Sequence, residues 1–150
     1  MRLGIRRGAL AVGVVGALAV LALVANASLG DAGVGGQTDG PVISLGEDWN
    51  AYPTAMVTGR ISLVDDCLRL GTSVVFWPHQ TRWDEDRQAV EFGGDFGASR
   101  AAPLGEKFSG GGGFYSAEDI RGMKSLDDQA VLRCIRETGA DGAVFAYPDD

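Results

Sequence analysis

Alternation of apolar and polar positions is clearest over residues 58–78, which read Thr-Gly-Arg-Ile-Ser-Leu-Val-Asp-Asp-Cys-Leu-Arg-Leu-Gly-Thr-Ser-Val-Val-Phe-Trp-Pro. A two-residue turn at Asp65 and Asp66 sets Val64 opposite Cys67, Leu63 opposite Leu68, Ser62 opposite Arg69 and Ile61 opposite Leu70. Every pair then agrees about its face. Ile61, Leu63, Leu68 and Leu70 form one apolar patch, while Arg60, Ser62 and Arg69 point the other way with Val64 and Cys67. A slip of one residue would destroy this agreement, so the pattern specifies register as well as strand. The two strands are predicted over 55–64 and 67–70.

Beyond the hairpin, Gly71, Thr72 and Ser73 bend or bulge the chain before a β-branched and aromatic run, Val74 to Trp77, that Pro78 ends. Residues 79–87 are polar apart from Trp83, with an exposed turn at Asp84, Glu85 and Asp86. Val90 and Phe92 share one face of a short strand stopped by Gly93 and Gly94. Residues 95–103 read as a surface loop, and 104–109 as another short strand with Phe108 inward. The four glycines at 110–113 lack the Gly-Lys-Ser/Thr of a phosphate-binding loop, and instead indicate a tight bend, a bulge or a close backbone approach.

Ser116 caps a brief helical turn that Gly122 limits. A longer helix is predicted from an N-cap at Ser125, with Asp127 and Asp128 in its first turn, Arg133 and Arg136 late, and Gly139 after its end. Leu126, Ala130, Val131, Cys134, Ile135 and Thr138 recur at spacings of three and four and share its apolar face. A final strand covers 143–147. Residues 42–53 follow no clear period, with Ile43, Leu45, Trp49 and Tyr52 as candidate packing residues. The fold class is therefore mainly β with some α: a strongly bent antiparallel sheet or small barrel, one opening of which the C-terminal amphipathic helix covers.

The N-terminal third differs from all of this. Arg2, Arg6 and Arg7 precede an uncharged run over 8–25, and Ala25-Asn26-Ala27 follows with small residues where a signal peptidase reads. Residues 1–27 are thus a hydrophobic helix that serves as a cleaved signal peptide or a retained membrane anchor; the run is long enough to span a bilayer, and the Ala-x-Ala favours cleavage. Either way the remainder is extracytoplasmic, because the positive flank stays inside. Glycine-rich residues 28–41 read as a flexible tether, which leaves 42–150 as the domain.

The net charge of −7 understates the acidity of the exported part. The first 27 residues hold three arginines and no acid, so ten basic and twenty acidic residues remain beyond them, a balance of −10. Phosphate backbones would be repelled, and nucleic-acid binding is disfavoured.

Cys67 and Cys134 are the only cysteines, an even count in a chain expected to leave the reducing cytoplasm. A structural disulfide is favoured over two free buried thiols, and the spacing is too wide for a redox Cys-x-x-Cys motif. Since Cys67 lies opposite the Ile61 and Leu63 face, the helix carrying Cys134 must reach that side or the end of the hairpin.

The segment Cys67-Leu68-Arg69-Leu70, the following Phe76-Trp77-Pro78 and the late Arg133-Cys134 resemble small β-barrel domains of uncharacterised exported bacterial proteins. The resemblance spans 58–147 and implies an OB-like barrel with no known activity. An OB-fold usually carries its helix between the third and fourth strands, whereas here the helix precedes the last strand.

Chemistry-bearing residues are few. His79 is the only histidine and reads as a loop residue; no Gly-x-Ser-x-Gly elbow accompanies it. The acidic clusters at Asp65-Asp66, Asp84-Glu85-Asp86, Asp127-Asp128 and Asp149-Asp150 lack the spacing of a calcium loop, and no metal or cofactor is expected. Trp77 and Phe114 read as core. Trp83, flanked by charge, is the aromatic to expect at a surface, with Arg82 and His79 as neighbouring hydrogen-bonding groups. The sequence points to a non-catalytic extracytoplasmic domain, membrane-tethered or secreted, that binds a protein or cell-envelope component, with Trp83, Arg82 and His79 as the candidate binding residues. Its alternative is a small envelope-polymer hydrolase using Asp84 and Glu85.

Overall fold

The computed structural model describes residues 36–96 and 100–149. The hydrophobic segment 1–27 and most of the glycine-rich stretch after it lie outside the described residues. Among the described residues, no helix is long and apolar enough to cross a membrane.

The hairpin forms in the register its pattern specifies. β3 (Ala55–Val64) pairs with β4 (Cys67–Leu70) through Ile61 and Leu70, Ser62 and Arg69, Leu63 and Leu68, and Val64 and Cys67. Asp65 and Asp66 have φ of 49° and 59°, the two positive angles that a tight two-residue hairpin turn needs and that aspartate tolerates. The chain reaches β3 through β1 (Gln37–Asp39) and β2 (Val42–Ser44), a small antiparallel pair. The described fold thus begins inside the stretch whose composition suggests a tether.

Five strands close into a barrel. β5 (Ser73–Phe76) continues the meander from β4, and β9 (Lys107–Tyr115) lies against the first half of β3. β10 (Ala143–Pro148) enters between β5 and β9, parallel to the first and antiparallel to the second. The order around the barrel is β10, β5, β4, β3, β9. The expected all-antiparallel sheet is therefore corrected at one seam, β5 to β10. Between β5 and β9 lies a separate three-stranded sheet of β6 (Arg82–Asp84), β7 (Ala89–Glu91) and β8 (Ala101–Pro103).

Because side chains alternate along each strand, the barrel has two dry faces. Val57, Ile61, Leu68, Leu70, Val75, Phe108, Val144 and Ala146 share the inner one. The small sheet adds Val90 and Ala102 to this cluster, and Phe92, just after β7, joins them with its ring 5.3 Å from Trp77 and 6.2 Å from Phe108. The outer face of β4, β5 and β10 presents Cys67, Val74, Phe76, Ala143 and Phe145 to a second cluster. Ile120, Leu126, Val131, Leu132 and Cys134 cover them. The C-terminal helix thus lies on the outer wall instead of covering an opening.

That helix, α2 (Asp128–Thr138), follows the single turn α1 (Ala117–Ile120). Ser116 and Asp119 make a reciprocal capping box for α1. Asp127, and not Ser125, caps α2 and accepts from the Ala130 amide at 3.0 Å. Ser125 is occupied elsewhere: its hydroxyl donates to Asp48 at 2.8 Å and its carbonyl accepts from Gly46 at 2.7 Å. Gly139, at φ 63°, ends the helix in the left-handed conformation.

The Cys67–Cys134 disulfide joins the end of the hairpin to α2, with Cα atoms 5.6 Å apart. The glycines at 110–113 lie inside β9 and do not bend it. They serve close approach. A Cβ at Gly111 would run into the Tyr147 ring on its cross-strand partner, and one at Gly112 into the Phe145 carbonyl.

Candidate functional site

Three loops that are distant in sequence converge beside β10. The first follows β2, where Trp49 N–H closes a turn on the Gly46 carbonyl and Ser125 holds Asp48. It presents Glu47, Trp49, Asn50 and Tyr52. The second follows Pro78, whose carbonyl accepts from both the amide and the hydroxyl of Thr81. This turn, with Gln80 at φ 65°, presents His79 and Gln80. The third is Gly93, Gly94 and Phe96, drawn in so closely that a Cβ at Gly93 would meet the Gln80 carbonyl. Between them lies a cleft of about 300 Å³ lined by all nine of these residues.

Aromatic packing fixes its apolar wall. The Tyr52 ring lies 5.9 Å from Phe96, 5.8 Å from Phe145 and 5.4 Å from Tyr147, and Trp49 meets the edge of Phe145 at 6.4 Å. Tyr147 in turn donates its hydroxyl to the Pro53 carbonyl at 2.8 Å, which anchors the chain just beyond Tyr52. Tyr52 remains 39% exposed, so part of its ring faces the opening. On the polar side His79 Nε2 lies 3.2 Å from Glu47 Oε1. Two buried ring nitrogens of this cleft, Trp49 Nε1 and His79 Nδ1, have no hydrogen-bond partner among the described residues. Buried polar atoms are rarely left so; Arg69 Nε and Trp77 Nε1, outside the cleft, share the condition.

A shallower hollow of about 280 Å³ shares the Gln80, Gly93 and Gly94 rim and adds Arg82, Glu91 and Phe92. His79 and Arg82 therefore sit in adjoining hollows. Trp83 does not join them. Neighbouring residues on a strand face opposite ways, and Trp83 packs against the inner cluster beneath Gly40, with its indole N–H donating to Glu85 at 2.5 Å. His79 is also less open than a free loop side chain, since only 21% of it is accessible.

Asp84 and Glu85 face separate partners. Asp84 accepts from the Arg87 amide at 3.0 Å and pairs with its guanidinium at 3.5 Å. Glu85 accepts from Trp83 through one oxygen and from Gln88 at 3.1 Å through the other. Among the described residues, no group of three or more His, Cys, Asp or Glu is placed to hold a metal ion. A further hollow of about 370 Å³ lies between Ala102, Lys107 and Pro148. Its two aromatics, Phe92 and Phe108, are buried in the inner cluster and offer little ring surface.

Two titratable groups near α1 are displaced. Hydrogen bonds from the Ser116 hydroxyl and amide hold the Asp119 carboxyl below its usual range. Burial, with a smaller contribution from Asp119, pushes the Tyr115 phenol up.

Trp49 and Tyr52 lie in the stretch whose pattern gave no period, and Phe96 in what reads as a surface loop. The signal that could have found them is aromatic content in segments too polar to be strands. Phe114, expected in the core, is 66% exposed beyond the last inward positions of β9. Compared with known protein families, with curated proteins and with solved structures, the chain matches none of them.

Proposed function

We infer that this is a non-catalytic extracytoplasmic binding domain, tethered to the membrane or secreted, that takes a protein or cell-envelope component in the cleft between its loops. The observation that carries the reading is the convergence of three loops on aromatic rings and hydrogen-bonding side chains in one concave site, the usual make-up of a ligand pocket. Adjoining Arg82 extends the same surface. Engagement of Asp84 and Glu85 by different partners gives no support to a carboxylate pair acting together.

An OB-like barrel is the finer description we propose. Numbered within the barrel, the strands run first, second, third, fifth, fourth, and the third lies parallel to the fifth. The departure is the helix, which falls between the fourth and fifth strands, with the three-stranded sheet taking its usual place. Export rests on the arginine-flanked apolar run and Ala25-Asn26-Ala27, and a disulfide accords with an oxidising compartment.

The test is retention of the purified domain on isolated cell envelopes. Wild type should be retained, and a His79→Ala, Arg82→Ala double variant should lose most of that retention while keeping its melting temperature. Absence of wild-type retention would overturn the reading.

A further inference from the structure

We propose that the cleft receives a neutral, hydroxyl-rich glycan unit, with Tyr52 and Trp49 as its stacking surface and Asn50, Gln80, Glu47 and His79 as its hydrogen-bonding ring. This rests on the binding-domain reading and specifies its ligand.

The donor and acceptor inventory decides the class. A sugar ring offers an apolar C–H face and a rim of hydroxyls, each of which both donates and accepts. Asn50 and Gln80 carry amides with both capacities, Glu47 accepts, and His79 has one ring nitrogen engaged by Glu47 and the other without a partner. The aromatic wall supplies flat apolar surface held rigid by its neighbours, so little side-chain freedom is lost on stacking.

Charge excludes the anionic alternatives. Neither lysine nor arginine lines the cleft, and Glu47 stands at its mouth with 84% of its side chain exposed. With −10 beyond residue 27 as well, a phosphate or carboxylate seated in the cleft would meet repulsion, since Arg82 contributes its charge to the adjoining hollow and not to the cleft lining. A peptide adding as a strand is disfavoured by the nearby β6 edge, where the Trp83 amide already donates to Asp39 at 3.1 Å. The volume of about 300 Å³ is at the small end for ligand pockets and fits one or two sugar units of a chain lying across it. The adjoining Arg82 hollow is where such a chain would continue.

The experiment measures retention of the full domain on insoluble envelope polymer, before and after protease stripping, with a tetramer of β-1,4-linked N-acetylglucosamine as soluble competitor. Retention that survives stripping and is competed by the tetramer supports the proposal, provided that Tyr52→Ala weakens it about tenfold, the loss of one good aromatic stack. Asn50→Ala, on an exposed residue, should weaken it without changing the melting temperature, which keeps the test valid if Tyr52→Ala folds poorly. Retention abolished by stripping would overturn the glycan assignment and leave a protein ligand for the same domain. Retention unchanged in both variants would overturn the cleft as the site. Absence of any retention would overturn both the ligand and the binding-domain reading.

Discussion

The inside of the barrel and its outer wall are equally dry but are held by different means. The inner cluster is ringed by five barrel strands, each paired with two neighbours, so most of its side chains are kept in place by hydrogen-bonded strands as well as by packing. The outer cluster is covered by two short helices and the segment around Ile43 and Leu45, with one covalent clamp, Cys67–Cys134, joining cover to wall. Helices of four and eleven residues have little stability of their own. The lesson is that the wall layer depends on tertiary contacts and the disulfide in a way the barrel interior does not.

Replacing either cysteine by serine tests this most severely. The linked residues are 67 apart in sequence, and releasing that loop should cost about 4 kcal/mol in the chain-entropy model. The melting temperature should fall by roughly 15 °C, read by calorimetry. Amide exchange would sharpen the comparison: α2 should lose protection first, while the β3–β9 ladder keeps its own. Equal loss in both would break the distinction.

Leu68→Ala empties part of the inner cluster. It should cost about 3 kcal/mol in denaturant unfolding, with barrel and helix signals lost in a single transition, because the wall cannot stand without the barrel. Gly111→Ala acts between the two layers. Its methyl group would displace the Tyr147 ring and break the bond to Pro53, at about 2 kcal/mol, with a change in the near-ultraviolet aromatic spectrum.

The smallest effect is pH-dependent and confined to the wall. Asp119 has a depressed folded pKa, so its contribution is fully present above the ordinary carboxylate value of 3.8 and is lost as pH falls through the folded value. Acid should therefore loosen α1 slightly, seen as Asp119 and Ser116 shifts by NMR, and Asp119→Asn should abolish that acid dependence.

The hairpin was readable because a period of two in both strands admits one register. The disulfide was readable because two cysteines allow one pairing. The β5 to β10 seam was not, since Val74 and Ala143 are brought together by closure of the barrel and by nothing local. Glycines in β9 mimic a turn when the ring that covers Gly111 lies 36 residues away at Tyr147. Ser125 and Asp127 are both good caps, and the choice was made by Asp48, far away in the chain. The cleft was legible only in fragments: His79 stood out as a polar neighbour of aromatics, but Trp49, Tyr52 and Phe96 join it only once three loops are folded, and Arg82 lines the adjoining hollow.

The seat of β10 between β5 and β9 also sets an order of events as the chain emerges. Until residues 143–148 are available, the meander and the glycine-rich strand each present a bare edge, and neither can satisfy the other. A nascent chain is then an open sheet that can recruit strands from its neighbours. Arrival of one short apolar segment converts it into a particle with no barrel edge left to offer.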